Sequence, residues 1–408
     1  MPEPSDAPET LAAGGGARAL SAEDDAAPAA PAMPGGSDPD PGADRAAVAP
    51  PLAPRAVTAS LALVATLLLL TVMVFVRVPY AVSSPGPTRN TLGEVDGEPL
   101  IQVDGTRTYP STGELRLTTV SVAGGPGYPV TLPQAIGGWL SGTRSVRPVE
   151  VVFPPNITQD QLDEQNEAAM TSSQENATVA ALEELDYDVP ATLHVAGAVE
   201  GSGAAGVVLD GDVLVTFEGA PVTSYTGLLD ALGEVEPGAT VTLGVLRDGE
   251  PLDLAVVTGQ REGGGSQLGV FIDPRFDLPV DVTIRIEDIG GPSAGLMFAL
   301  GIIDRLTPQD EVAGVVVAGT GTMDVDGTVG PIGGIQQKLA GARRDGATWF
   351  LAPADNCDEV VGHVPDGLSV VRVESLSDGR AAMEAIGAGD GDTLEACTAA
   401  RPDTSRAG

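Results

Sequence analysis

The chain has 408 residues, 57 of them acidic and 21 basic, for a formal charge of −36. At roughly 100 to 200 residues per domain this leaves room for two or three domains, and so acidic a surface repels phosphate backbones, which argues against nucleic acid as a partner. Two cysteines and two histidines, His194 and His363, exclude a disulfide-dense scaffold, a zinc ribbon and a multi-histidine metal centre.

Along the chain the composition changes several times. Residues 1 to 50 contain no aromatic, no Ile and nine Pro, too little apolar surface to offset chain entropy, so residues 1–54 are expected to be a disordered tail. From Ala56 to Val76 run 21 residues without a charge, bracketed by Arg55 and Arg77. As a helix they would span about 30 Å, the thickness of a bilayer's hydrocarbon. The expectation is one transmembrane helix over 55–77, with a buried core helix and a cleavable signal as the competing readings. Arginines stand on both sides, Arg45 and Arg55 before it and Arg77 and Arg89 after, so charge alone does not orient it. The short tail is placed in the cytoplasm, because the large C-terminal part carries both cysteines.

After Ser84-Pro85-Gly86-Pro87, β-type runs such as Glu114 to Val122 alternate with Gly and Pro turns. From Thr158, a plausible N-cap, to Leu185 the pattern becomes that of a polar helix. Residues 84–186 are therefore expected to form a membrane-proximal β-rich region with one polar helix, within a multi-domain α+β chain.

From about Tyr187 to Gly259 the pattern is strand, small-residue turn, strand, short helix near Thr226 to Leu232, then a hairpin across Arg247-Asp248-Gly249-Glu250, where Asp-Gly is a strong turn signal. Gly211-Asp212-Val213-Leu214, followed by Phe217-Glu218-Gly219 and Pro221-Val222, resembles a bacterial PDZ domain. The resemblance implies an extended peptide added as a strand, in a groove between Thr192, Leu193 and Val195 on one side and Leu228 and Leu229 on the other. His194 is expected to be a strand residue, not a base.

Beyond a Gly-rich linker, residues 278–380 hold the chemistry. An alternating strand, Val280 to Ile286, leads through Gly290-Gly291-Pro292-Ser293-Ala294-Gly295 into an apolar helix ending near Leu306, with Ser293 expected in its first turn. Taken alone, Ser293 reads better as an ordinary N-cap than as a nucleophile. Forty-five residues on, past Thr320 and a hairpin turning at Asp326-Gly327, Gly330-Pro331-Ile332-Gly333-Gly334 opens a helix carrying Lys338, the chain's single lysine among 21 basic residues. Arginine cannot serve as a base, whereas a buried lysine can lose its proton and activate a serine.

The two motifs, in this order and spacing, resemble the proteolytic domain of Lon-type serine peptidases. The resemblance implies Ser293 as nucleophile, Lys338 as general base and Thr320 as a hydroxyl orienting the amine. One departure is Gly290, where Lon peptidases often carry Asp. No Gly-x-x-x-x-Gly-Lys nucleotide loop surrounds Lys338, which follows Gln337 and precedes Leu339, so neither ATP nor any other cofactor is expected. With its apolar helix, Ser84 to Gly93 segment, PDZ and Lon modules, the chain is similar to the YlbL-type bacterial membrane-anchored PDZ-Lon proteins. This implies an extracytoplasmic, single-pass, ATP-independent serine endopeptidase acting on unstructured polypeptides or protein C-termini, with the lipid bilayer as its other partner and a homo-oligomer left open. The alternative is a non-catalytic PDZ adaptor whose Lon-like domain is a scaffold. Cys357 and Cys397 are either free thiols or a bridge, worth roughly 3 to 4 kcal/mol on loop-entropy grounds, that fastens the C-terminus. Residues 385–408 are expected to be a flexible tail.

Overall fold

The computed structural model describes residues 54–261, 265–286 and 289–398. The expected tail over 1–54, except for Pro54, lies outside them, as do residues 262–264 of the Gly-rich linker and the last ten residues. Two compact units are distinguished, one ending at Ala62 and one from Leu63 onward.

Helix α1 (Pro54–Phe75) contains 19 consecutive residues, Val57–Phe75, of mean hydropathy 2.4, none of them buried. By length and composition it can cross a membrane.

The second unit is organised by two sheets. The larger has six strands in the order Ser369–Val373, Trp349–Pro353, Val316–Gly319, Glu114–Ala123, Tyr80–Asn90 and Ser145–Pro148. The first four run parallel and the last two are antiparallel to their neighbours. Its faces follow the period-2 rule. Leu115, Leu117, Val317, Leu351, Val371 and Val373 enter one core, while Ala318, Phe350, Ala352 and Val370 enter another on the opposite face.

Short helices α2 (Leu132–Trp139) and α3 (Val149–Val152) flank the Ser145–Pro148 edge. The long helix α4 (Gln159–Glu184) is capped by Thr158, whose side chain accepts from the Gln161 N–H. This is the cap expected from sequence. α5 (Tyr225–Gly233) belongs to the smaller sheet; α6 (Gly295–Leu306) shares the first core with α4 and α9 (Leu376–Ala388), and α7 (Ile335–Arg344) lies in the second with α8 (Cys357–Val360).

Two expectations need correction here. The region over 84–186 does not stand apart: its strands Tyr80–Asn90 and Glu114–Ala123 are central members of the sheet that carries Val316–Gly319, and Met170 to Leu182 of α4 lie in the same core as Phe298. The parallel pairing of Glu114–Leu117 with Val316–Gly319 joins segments some 200 residues apart, which local patterning cannot register. Likewise, the flexible tail does not begin at 385. α9 continues to Ala388, Ala396 bridges to Val371, and Cys397 is disulfide-bonded to Cys357, so the chain is held to residue 398.

The smaller sheet has six antiparallel strands, five in the order Glu250–Val257, Thr240–Arg247, Val213–Phe217, Ala191–Ala198 and Val270–Phe276, with the short Ala220–Pro221 pairing beside Val213–Phe217. Asp248 and Gly249 both have positive φ, 52° and 83°, making the two-residue turn the sequence announces. Asp212 is buried and accepts from Leu209 N–H and twice from Arg247, which fixes the Leu209 to Leu214 corner. Val270–Phe276 lies beyond the expected boundary at Gly259, and what reads as a linker partly pairs as Gly259–Gln260 with Ser266–Gln267.

Candidate active site

α6 and α7 pack on opposite faces of the large sheet, so a residue before one and a residue on the other meet only where a strand between them stops. Val316–Gly319 stops there. Its next residue, Thr320, turns toward both. Ser293 sits one residue before the N-cap Ala294, just ahead of the first turn where the sequence places it. Lys338 is in the second turn of α7.

Lys338 Nζ lies 2.8 Å from Ser293 Oγ, 2.8 Å from Thr320 Oγ1 and 3.1 Å from the Thr118 carbonyl. Thr320 Oγ1 donates to the Ser293 carbonyl at 2.8 Å, so its proton is committed and it faces the amine as an acceptor. A neutral amine has two protons and one lone pair. With the protons on Thr320 and Thr118, the lone pair is left for the Ser293 hydroxyl proton. Lys338 is 2% exposed, and burial lowers its pKa from 10.5 to about 7. The surrounding cleft of about 400 Å3 is lined by residues including Pro87, Thr119, Ser121, Met170, Gly291 and Gly333 and, among the described residues, by no carboxylate that would hold the ammonium form.

Both glycine motifs have steric reasons. Gly334, the α7 N-cap, has φ +75°, and a Cβ there would come within 2.9 Å of Val120. At Gly290 a Cβ would lie 2.6 Å from that of Asn166 on α4. The position where Lon peptidases often have Asp is thus occupied by a close helix contact. α4 holds this loop further through Asn166 O accepting from Gly291 N–H at 3.0 Å and Ser173 Oγ donating to Pro292 O at 3.0 Å.

Three contributors escape sequence reasoning. Thr118 acts through a backbone carbonyl, which leaves no side-chain signature. Asn356, 2% exposed, accepts from Ile332 N–H and donates to Ile332 O, both at 2.9 Å, clamping the Gly330 to Gly334 loop that starts α7. The polar α4 has its function in contacts no pattern predicts. His363 is exposed in a loop and is not among the cleft residues. Among the described residues no group of His, Cys, Asp and Glu could hold a metal ion.

A second cleft, about 620 Å3, lies between α5 and the strand Val270–Phe276. Leu228 and Leu229 line it as expected, but Thr192, Leu193 and Val195 do not. The strand Ala191–Ala198 is flanked on both sides by other strands, and Leu193 and Val195 point into the core. An added strand needs a free edge, and Val270–Phe276 is the edge strand beside α5. Its residues Val270, Phe271, Ile272 and Pro274 line the cleft, together with Arg261 and with Asp324 and Asp326 from the hairpin that follows Thr320.

Comparison with known proteins agrees with both modules. Residues 281–381 match the Lon protease (S16) C-terminal proteolytic domain, and residues 183–258 match the PDZ domain. The chain is 27% identical over 188 residues to a Lon protease of Clostridioides difficile, covering 41% of this chain and 24% of that protein. It is 32% identical over 114 residues to Lon protease 1 of Bacillus subtilis, covering 26% and 14%. The alignments thus span no more than about a quarter of either relative. Among solved structures, the PDZ domain of the SdrC-like protein of Listeria innocua covers 20% of this chain and 92% of that domain, at 18% identity and a TM-score of 0.19. The chain thus joins a stretch that matches the PDZ domain to one that matches the Lon protease (S16) C-terminal proteolytic domain.

Proposed function

We propose that the chain is a membrane-anchored, ATP-independent serine endopeptidase in which Ser293 and Lys338 form the catalytic dyad. The observation that carries this reading is a buried lysine, its pKa lowered to about 7, placed 2.8 Å from a serine hydroxyl with both of its other neighbours acting as acceptors. Neutral Lys338 takes the Ser293 proton as Oγ attacks a peptide carbonyl carbon. The oxyanion is met by backbone N–H groups just ahead of α6, since those of Gly295 and Leu296 are donated to the Pro292 and Gly321 carbonyls, each donor worth on the order of 3 kcal/mol. Lysinium then gives its proton to the departing amine. Water, deprotonated by the same amine, releases the acyl group and restores Ser293.

The strand Val316–Gly319 ends opposite Leu117, so Thr118 to Ser121 have no strand neighbour on that side among the described residues and offer backbone groups to an extended substrate. The edge strand Val270–Phe276 offers a second such surface to a tail or loop of the same polypeptide. α1 crosses the membrane, with the N-terminal side cytoplasmic and the PDZ and proteolytic parts outside. Substrates are loosely folded chains, since the only lysine serves chemistry and no nucleotide loop is left to drive unfolding.

Ser293→Ala and Lys338→Arg test the reading on an unstructured protein substrate, each with a matched circular dichroism spectrum. Both are expected to abolish cleavage, and ATP to leave wild-type turnover unchanged. Wild-type turnover by Lys338→Arg would refute the dyad, and ATP stimulation of the purified chain would refute independence from a motor.

A further inference from the structure

In a chain with 57 acidic residues, none occurs between Arg55 and Glu94, nor between Glu114 and Glu150. The fold brings these two acid-free stretches together directly after α1. Arg77 and Val78 pair with Thr131 and Val130, the Leu132 N–H that opens α2 donates to the Val76 carbonyl at 2.9 Å, and Val149 N–H donates to Pro79 O at 3.2 Å. α2 is therefore tied by a hydrogen bond to the residue that immediately follows the apolar helix. At its far end Trp139 packs edge-on against Tyr80, ring centroids 5.2 Å apart, yet is 54% exposed; Leu140 is 83% and Tyr128 67% exposed. Arg77, Arg144 and Arg147 are exposed and, among the described residues, form no ion pair or side-chain hydrogen bond.

We propose that this patch, α2 with the Tyr128 loop and the three arginines, rests on the anionic headgroup surface of the membrane that α1 spans. The proposal rests on the anchor reading above. Exposed Trp and Tyr with unpaired Arg is the side-chain set of a bilayer interface, where the rings sit at headgroup depth and the guanidinium groups meet lipid phosphate. Charge selects the face. Elsewhere the surface is acidic and is repelled by anionic lipid, whereas the Tyr128 loop, α2 and the strand Ser145–Pro148 contain cations and no carboxylate. Chain continuity selects the occupant, because residues hydrogen-bonded to Val76 cannot stand far from the bilayer that Phe75 leaves.

The test uses the full chain reconstituted in vesicles of phosphatidylcholine and phosphatidylglycerol, floated on a density gradient to establish anchoring. The chain has two tryptophans, so the Trp139 emission is the difference between wild type and Trp139→Phe. Replacing the lipid with acyl-chain-brominated lipid should remove most of that emission, and Arg144→Glu with Arg147→Glu should restore it. Protein that floats while its Trp139 emission ignores bromine overturns the docking and spares the anchor. Unquenched, blue-shifted emission that turns red on dilution in lipid would assign the patch to a second copy of the chain instead. Failure to float would refute the anchor itself, and the proposal with it.

Discussion

Proton supply at Lys338 gives the most quantitative expectation. With a pKa of about 7, about one tenth of the molecules hold the neutral amine at pH 6, half at pH 7 and about nine tenths at pH 8. Turnover of a peptide substrate should therefore rise about tenfold from pH 6 to pH 8 and level off above it. An amine left at 10.5 would have only about one neutral molecule in three thousand at pH 7, and its rate would still be climbing at pH 10. Acid unfolding through the buried carboxylates does not imitate this profile. Burial raises Asp304 to about 6 and Glu311 to about 7, and a carboxyl whose folded pKa is raised contributes stability that is present at low pH and lost as pH rises through that value. As pH falls from 8 to 6 their protonation therefore adds stability to the folded state and does not remove it. The assay is a set of initial rates from pH 5 to 10 with thermal unfolding followed in the same buffers, on wild type and His363→Gln. Identical profiles for the two chains are expected. A flat rate between pH 6 and 8 in folded protein, or a profile that disappears with His363, would refute the role given to Lys338.

Two further substitutions probe the surroundings. Asn356→Ala leaves the Ile332 N–H and carbonyl without their partner, at a cost of about 1 to 3 kcal/mol for each group that stays dry; it should lower thermal stability and reduce kcat more than it raises KM, and loss of stability with unchanged kcat would restrict Asn356 to folding. Ile272→Pro removes a backbone donor from the edge strand Val270–Phe276, and should raise KM for tail-bearing protein substrates while sparing short peptides. Equal losses for both substrate kinds would make the PDZ cleft a structural or gating element.

How much was legible in the sequence depended on whether a feature is local. The apolar run of α1, the Asp248-Gly249 turn, the Thr158 cap and the helices behind the two glycine motifs are each specified within a few residues, and the structure places them there. The pairing of Ser293 with Lys338 needed the resemblance, since nothing in the spacing alone brings positions 45 apart to 2.8 Å. What was missed is non-local. The strand Glu114–Ala123 reads as part of a separate region until its partners, 200 residues later, are known. The PDZ resemblance puts the groove between Ala191–Ala198 and α5, and nothing local in the sequence says that Val270–Phe276 pairs onto that strand and becomes the edge. The C-terminus beyond 385 is Gly- and Asp-rich and looks unstructured, but as far as residue 398 the Cys357–Cys397 bond, the Ala396 bridge, the Arg372 N–H donated to the Glu395 carbonyl and the packing of Leu394 on the core hold it in place. At Gly290 the sequence signalled a departure, and the reason, the approach of Asn166, lies on a helix more than 100 residues upstream.

The claim on which the rest depends is that Lys338 makes Ser293 a nucleophile. A fluorophosphonate reacts with a serine only to the extent that its hydroxyl is activated, so it reports this directly and without a known substrate. The full chain, treated at pH 8 and digested for mass spectrometry, should carry a single adduct on Ser293; Lys338→Arg, folded to the same circular dichroism spectrum, should carry none. An adduct on another serine, or equal labelling of Ser293 in the arginine variant, would contradict the account.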